Sequence, residues 1–151
     1  MTEKFYADGL HFECTQCGMC CLFSEGVVYI DEEEEQALAQ FLHLSRSEFR
    51  QQYVETEAST GLSILTSTAT GACIFFKDNR CEVYPARPLQ CRTYPFWPEN
   101  LRSLYQWKRT RQECPGIGNG KRVPGTEIER MRQQQQAHDV RLLRQSRLRT
   151  K

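Results

Sequence analysis

The spacing of hydrophobic and polar positions predicts two helices in the first half of the chain. Asp31 precedes four consecutive glutamates and forms a D-x-x-E pattern with Glu34, which is typical of a helix start because negative charge there complements the helix dipole. The apolar residues that follow lie on one helical face, so a helix is predicted over residues 31–43. A second helix is predicted to begin near residues 45–47 and to end at Tyr53. The glutamate run is interpreted as a solvated helix start in preference to a divalent-cation site.

Short alternating and β-branched segments predict strands around these helices. The predicted strands cover residues 10–13, residues 26–30, a short segment around Leu62 and Ile64, and residues 102–109. In the last of these strands, Leu104 is predicted to lie on the buried side together with Tyr105 or Trp107. Because the strands are short and the helices are separate from them, the predicted fold class is a small α+β domain.

Turn-forming residues define three further segments. Two short apolar runs joined by residues 77–79 predict a hairpin that brings Cys73 and Cys81 close together at its base. The proline-rich stretch that follows predicts one helical turn with Cys91 at its far end. The G-I-G-N-G run at residues 116–120 lacks the strand–loop–helix frame of a dinucleotide fingerprint, so it is predicted to be a plain turn.

A long polar segment ends the chain. The T-x-x-E pattern at residues 126–129 predicts a capping box and a last helix that begins near residue 127. The apolar stripe that starts at Ile128 is continued by the polar Gln135 and His138. The terminal ten residues are therefore expected to dock only weakly.

Eight cysteines carry the candidate chemistry, and half of them lie in the window 14–21, which reads C-T-Q-C-G-M-C-C. The C-x-x-C spacing lets two thiolates bind one metal ion from a tight loop. Thiolates suit zinc, cuprous copper and iron–sulfur clusters. The candidate ligands are Cys14, Cys17, Cys20, Cys21, Cys73, Cys81, Cys91 and Cys114.

The adjacent Cys20 and Cys21 leave the division of these thiols open. Binding of one ion by both would force a strained ring, so the eight thiols form either two four-ligand sites or one four-ligand site plus a reactive or redox set. His11 is a candidate extra ligand, although a partly exposed strand histidine is the favoured interpretation. A disulfide framework is disfavoured, because no secretory signal is visible and a cytoplasmic location is expected.

Charge is distributed unevenly along the chain. Residues 1–60 carry 12 acidic and 3 basic side chains, whereas residues 121–151 carry 3 acidic and 9 basic ones. The two ends could pair within one molecule or orient a protein partner. No nucleic-acid motif accompanies the basic tail, and no segment has the apolar length that a membrane span needs, so neither partner is expected.

Arg87 and Arg92 flank Cys91 and are candidates for a supporting role at the metal. Eight thiolates would bring eight negative charges, of which two divalent ions neutralise only half. Guanidinium groups that donate hydrogen bonds to the sulfurs would offset the remainder. The alternative for each arginine is a surface salt bridge.

The ordered motifs resemble a known family. C-x-x-C-x-x-C-C at 14–21, the Cys73 and Cys81 pair, Y-P-A-R-P-L-Q-C-R-T-Y-P at 84–95 and Cys114-Pro115 are similar to the YkgJ-type cysteine-cluster family, the CxxCxxCC zinc- or iron-chelating domain. The resemblance implies that all eight cysteines are metal or cluster ligands. The expected organisation is a cysteine-cluster domain at residues 1–120 and a basic C-terminal helix at 121–151.

Besides a thiol–disulfide redox protein in which Cys20 and Cys21 react, the cysteines and the resemblance leave two classes of function open. The first is a metal-binding protein that holds zinc, iron or an iron–sulfur cluster in an accessory or redox role. The alternative is a cluster-dependent enzyme, such as an oxidoreductase or a protein lysine methyltransferase that uses S-adenosylmethionine, because relatives include a flagellin lysine N-methylase.

Overall fold

Helices and small strand pairs alternate along the chain. The structure is a computed structural model that describes residues 3–14, 27–67, 73–78 and 80–149. The elements are β1 (Leu10–Phe12), α1 (Glu32–Phe41), α2 (Arg46–Tyr53), β2 (Val54–Thr56), β3 (Ser63–Leu65), β4 (Phe76–Lys77), β5 (Arg80–Cys81), a 3₁₀ turn (Tyr84–Ala86), α3 (Leu89–Thr93), α4 (Pro98–Leu101), α5 (Leu104–Glu113), β6 (Ile117–Val123) and α6 (Gly125–Arg149). The predicted α+β class is confirmed. Among the described helices, none combines the length and apolar character that crossing a membrane would need.

The strands form antiparallel pairs, β1 with β6, β2 with β3, and β4 with β5. The predicted strand at residues 26–30 is confirmed only in part. Tyr29 forms an isolated antiparallel bridge with Ile64 of β3, whereas Gly26 lies outside the described residues. The predicted hairpin is confirmed as β4–β5, in which Phe76 pairs with Cys81, although Asn79 of its turn lies outside the described residues.

The first two helices begin where the sequence predicts. The Asp31 side chain accepts a hydrogen bond from the Glu34 amide at 2.9 Å, and the Glu34 carboxylate accepts one from the Asp31 amide at 3.1 Å. This reciprocal capping box starts α1. The Ser45 hydroxyl oxygen accepts a hydrogen bond from the Glu48 amide at 3.1 Å and caps α2.

The strand predicted at residues 102–109 is wrong, because this segment lies mostly in helix α5. Ser103 caps the helix by accepting a hydrogen bond from the Gln106 amide at 3.1 Å. Leu104 and Tyr105 are 48% and 72% exposed, whereas Trp107 is 5% exposed and packs in a core. The apparent alternation therefore arose from a helix that buries one narrow face.

The plain turn predicted at residues 116–120 is also wrong, because most of this run belongs to β6. Gly120 has a φ of +77°, and a side chain there would meet the Glu13 Cβ at 2.4 Å. Glycine thus allows β6 to pair with β1 at close range, with an irregularity in register between His11 and Phe12.

The predicted capping box at residues 126–129 does not form, because α6 begins at Gly125 and Thr126 already lies inside it. Instead, the Glu129 carboxylate accepts hydrogen bonds from Lys4 Nζ at 2.9 Å and from the Tyr6 hydroxyl at 2.6 Å. It also accepts one from Arg132 Nε at 3.0 Å. These contacts attach the beginning of the described chain to α6.

The described residues form two hydrophobic cores that the proline-rich segment 84–98 connects. The first core contains Tyr6, Phe96, Leu101, Trp107, Cys114, Ile117 and Ile128. The second core contains Ile30, Leu38, Ala39, Phe49, Leu65, Phe75 and Val83. Segment 84–98 starts beside Val83 in the second core and reaches Phe96 in the first, so it joins the two.

Helix α6 docks through a face that is apolar at its ends and polar in the middle. Ile128, Gln135, His138 and Leu142 are all buried, at the three- and four-residue spacing of one helix face. The Thr93 hydroxyl of α3 donates a hydrogen bond to Gln135 Oε1 at 2.9 Å. The polar residues that interrupt the stripe are therefore docked by hydrogen bonds.

Candidate metal centre

The described cysteines lie in or close to separate elements of the fold. Cys14 is exposed just after β1, Cys81 ends β5, and Cys91 lies inside α3. Cys73 is half-buried ahead of β4, and Cys114 is buried in the first core directly after α5. Cys17, Cys20 and Cys21 lie outside the described residues.

The segment that precedes the CxxCxxCC loop is attached beside Cys114. The Glu13 amide donates a hydrogen bond to the Gly116 carbonyl at 3.1 Å. A side chain at Gly116 would meet the Glu13 carbonyl oxygen at 2.1 Å, so only glycine permits this approach. Cys14 follows Glu13 and Cys114 precedes Gly116 by two residues, which brings their two backbone segments together.

The segment that follows the loop is attached beside Cys91. The Gln90 side chain donates from Nε2 to the Val27 carbonyl at 2.8 Å and accepts from the Tyr29 amide at 3.2 Å. The Trp97 indole in turn donates to the Gln90 carbonyl at 2.9 Å. Since Gln90 directly precedes Cys91, the return of the chain from the loop is fixed to the helix that carries Cys91.

Cys73 and Cys81 are connected to the returning segment through β3 and the β4–β5 hairpin. The Leu65 amide of β3 donates to the Val28 carbonyl at 3.0 Å, and two residues further on Ser67 forms an antiparallel bridge with Cys73. The Cys73 carbonyl accepts from the Phe76 amide at 3.0 Å, and Phe76 is the strand partner of Cys81. The predicted closeness of Cys73 and Cys81 at the base of the hairpin is therefore present in the backbone.

These contacts place the described residues on both sides of the CxxCxxCC motif next to cysteine-bearing segments. Glu13 is bonded to Gly116 near Cys114, and Val27 is bonded to Gln90 beside Cys91. Residues 15–26 themselves lie outside the described residues. The metal-ligand atoms that the described residues bring together belong to Asp31, Glu34 and His138 and include no cysteine sulfur. As a class of ligand, cysteine thiolates fit zinc or an iron–sulfur cluster, both of which bind sulfur well.

The two arginines near Cys91 contact backbone and aromatic groups. The Arg87 guanidinium stacks on the Tyr84 ring, 3.8 Å from the ring centroid, and its Nε donates to the Tyr84 carbonyl at 3.0 Å. Arg92 Nε donates to the Arg87 carbonyl at 3.0 Å. Within the part of the chain that the structure describes, neither arginine forms a salt bridge.

Sequence reasoning missed two features of this region. Gln90 holds the returning segment, and only its position beside Cys91 could have indicated this role. A group of metal-ligand atoms, separate from the cysteines, is formed by Asp31, Glu34 and His138, whose atoms lie within 4.8 Å of one another. His138 lies about a hundred residues from the other two, so no local pattern indicated this group. His11, the candidate extra ligand, is instead an exposed strand residue whose Nδ1 lies 3.0 Å from the Gly120 carbonyl.

The described fold is that of a small α+β domain in which cysteine-bearing segments lie beside the residues that flank the CxxCxxCC motif. The chain belongs to the family described as "CxxCxxCC: Putative zinc- or iron-chelating domain", whose sequence model matches residues 13–115. The match covers the cysteine motifs and ends at Pro115, directly after Cys114.

The chain is also similar to curated proteins. One of them is "Uncharacterized protein MJ0661" from Methanocaldococcus jannaschii, which is 28% identical over 93 residues. The alignment covers 60% of this chain and 48% of the relative, so the chain spans about half the length of that protein. No solved structure matches the chain.

Proposed function

We propose that this protein binds zinc or iron through its cysteines and has an accessory or redox role in the cytoplasm, where thiols stay reduced. The ligands in this proposal are Cys14, Cys17, Cys20, Cys21, Cys73, Cys81, Cys91 and Cys114. The observation that carries it is the attachment of both ends of the CxxCxxCC loop beside other cysteine-bearing segments. Membership of the zinc- or iron-chelating family supports the same ligand class.

The elements around the loop account for how separate thiols would reach one centre. Gln90 and Gly116 hold Val27 and Glu13, the described residues on either side of the motif, next to Cys91 and Cys114, which would favour ligands contributed from separate segments. A bound zinc ion would supply structural cross-linking, whereas an iron–sulfur cluster would supply electron transfer.

Arg87 and Arg92 would contribute positive charge beside Cys91. The stack on Tyr84 and the two bonds to backbone carbonyls hold their side chains close to α3. Both guanidinium groups retain further N–H donors that could serve the sulfurs. In this proposal they offset the negative charge that the thiolates leave after metal binding.

Elemental analysis and visible absorption of anaerobically purified protein test the proposal. Stoichiometric zinc in colourless protein, or iron with the absorption of an iron–sulfur cluster in brown protein, would support it and identify the metal. Cys91→Ser should lower the metal content, whereas Lys108→Ser on the exposed side of α5 should leave it unchanged. Protein that purifies without zinc or iron and takes up neither would refute the proposal.

A further inference from the structure

A buried histidine links the C-terminal helix to the start of α1. His138 is 1% exposed, and its Nε2 lies 2.7 Å from Glu34 Oε1, across 104 residues of chain. The same nitrogen lies 3.8 Å from Asp31 Oδ2. Asp31 and Glu34 are the two members of the capping box that begins α1.

Glu34 connects three helices through its carboxylate. Its Oε1 accepts from the Asp31 amide of α1 at 3.1 Å as well as facing His138 of α6. Its Oε2 accepts from the Leu89 amide, the first residue of α3, at 2.7 Å. Both carboxylate oxygens already accept backbone N–H groups, so the arrangement is that of a hydrogen-bonded junction.

The charged groups around His138 favour a positive imidazole. Helix α1 presents the carboxylates of Asp31 and Glu34, and α3 presents the uncharged Leu89 amide. From α6 itself come Asp139, whose carboxylate accepts from the Gln135 amide group at 2.9 Å, and the exposed Arg141, 4.0 Å from Asp31 Oδ2. Three carboxylates and one guanidinium therefore surround the ring.

The two ring nitrogens of His138 have different roles. Since Nε2 faces a carboxylate, it carries a proton and donates to Glu34 in the neutral as well as the charged ring. Nδ1 is buried and has no hydrogen-bond partner among the described residues, so it is the nitrogen that gains or loses the proton. Because the Glu34 carboxylate is ionised in this pH range, protonation of the ring converts a hydrogen bond with one charged partner into an ion pair, which is stronger.

We propose that His138 is a proton-dependent latch that holds the C-terminal half of α6, residues 135–145, against the starts of α1 and α3. The latch is tight when the imidazole is charged and weaker when it is neutral. Because α3 carries Cys91, the latch holds α6 against the cysteine-bearing helix, yet its existence does not require a bound metal.

The titration of the two partners gives the direction of the effect. Burial lowers the pKa of His138, but the hydrogen bond and charge of Glu34 and the charge of Asp31 outweigh it, so the pKa lies above 6.5. The stability that the charged His138 contributes is fully present below pH 6.5 and is lost as the pH rises through the pKa of His138 in the folded protein. Burial raises the pKa of Glu34, yet its bonds from His138 and the Leu89 amide hold it below 4.5, so its contribution is lost only in more acidic solution.

Hydrogen exchange of the metal-loaded full chain tests the latch. Protection factors are corrected for the intrinsic effect of pH on exchange. We expect those of amides 135–145 to fall several-fold as the pH rises from below 6.5 through the His138 pKa. His138→Gln retains a donor at the position of Nε2 but cannot titrate, so its protection should not change over this range. His43→Asn removes an exposed histidine, and it should retain the wild-type response.

Protection that is independent of pH in the wild type, or an unchanged response in His138→Gln, would overturn the proposal. If His138→Gln does not fold, the NMR titration of His138 decides instead. Glu34→Gln should lower the His138 pKa, and an unchanged pKa would refute the latch. An additional zinc ion bound by the wild type and lost in His138→Gln would show that the cluster is a cation site and would also overturn the proposal.

Discussion

At the scale of single residues, the buried Glu35 is a second member of the glutamate run, besides Glu34, with a structural role. It is 1% exposed, and its carboxylate accepts from Arg46 Nε at 2.9 Å and from Arg50. Glu35→Ala would leave two guanidinium groups without this partner. Because the arginine side chains are 38% exposed and solvent screens them, we expect a loss of about 1–3 kcal/mol in the free energy of unfolding.

Urea denaturation of Glu35→Ala measures this loss, with Glu33→Ala as the control. Glu33 belongs to the same first turn but is exposed, so its substitution should change stability by less than about 0.5 kcal/mol. Equal effects of the two substitutions would mean that charge at the helix start, rather than the buried pair, determines stability.

Arg87 is the second residue that a substitution can test. Under the proposed function, Arg87→Ala removes charge beside Cys91 and should weaken metal retention less than Cys17→Ser does, because it removes no ligand. Arg87→Lys keeps the charge but loses the flat stack on Tyr84, so it separates the two contributions. Metal content after competition with a chelator is the measurement, and a loss as large as that of Cys17→Ser would contradict the supporting role.

Local rules explain which residue roles could be predicted. The capping box of Asp31 and Glu34 lies within four residues, so the sequence predicts it and the structure confirms it. The burial of Glu35 depends on Arg46 and Arg50 of the next helix. No local pattern contains that information, and the residue was interpreted as part of a solvated run.

At the scale of elements, a buried hydrogen bond fixes α6 on α3. Thr93 Oγ1 donates to Gln135 Oε1 at 2.9 Å, and both residues are buried. Gln135→Ala removes this acceptor and the docked amide, while the Thr93 hydroxyl keeps the Leu89 carbonyl as an acceptor at 3.0 Å, so we expect a loss of about 0.5–1.5 kcal/mol in the free energy of unfolding. The exposed Gln134→Ala should be nearly neutral.

Combining Gln135→Leu with Thr93→Val checks the origin of this loss. If the hydrogen bond matters because a buried polar group would otherwise stay unsatisfied, the double variant should be more stable than either single one. Strictly additive losses in thermal or urea denaturation would contradict this interpretation.

Acid should loosen the contact between the first described residues and α6. The hydrogen bond from Arg132, and further those from Tyr6 and Lys4, outweigh burial and hold the pKa of Glu129 well below 4.5. Because this pKa is lowered, the stability that the ionised Glu129 contributes is present above pH 4.5 and is lost as the pH falls through the pKa of Glu129 in the folded protein.

Glu129→Gln tests this dependence. The variant should be less stable than the wild type at neutral pH, and the difference should shrink as the pH falls to about 3 and lower. Urea denaturation across this range is the measurement, and a difference that stays constant with pH would exclude Glu129 as its source.

Two elements were assigned wrongly from the sequence for physical reasons. In α5 the buried face is narrow and Leu104 is exposed, so the apolar pattern of this helix resembled the alternation of a strand. The S-x-x-Q pattern of Ser103 and Gln106 would have indicated the helix start. In β6, glycines that usually signal a turn instead permit close pairing with β1, and this partner lies about a hundred residues earlier in the chain.

At the scale of the whole molecule, the cysteines are distributed over both cores. Cys114 belongs to the first core, Cys73 and Cys81 pack against the second, and Cys91 lies on the segment that joins them. The spacing of the cysteines was sufficient to predict the family, because four of them are local in sequence. The attachment of the flanking residues Val27 and Glu13 beside Cys91 and Cys114 required Gln90 and Gly116, whose partners are distant.

Under the proposed function, metal removal should therefore destabilise both cores together. A metal that binds only the folded chain stabilises it by about 2.7 kcal/mol when its free concentration is about 100-fold above its dissociation constant. After chelation, we expect hydrogen-exchange protection to fall in α5 and β6 around the first core and in α2 and β3 around the second.

Stoichiometric metal should restore protection in both cores of the wild type. Cys91→Ser provides the matched comparison, because a variant that retains little metal should respond weakly to the chelator. Loss of protection in one core alone would show that the ligands of that core form a separate site. Such a result would favour two independent four-ligand sites over a centre shared between the cores.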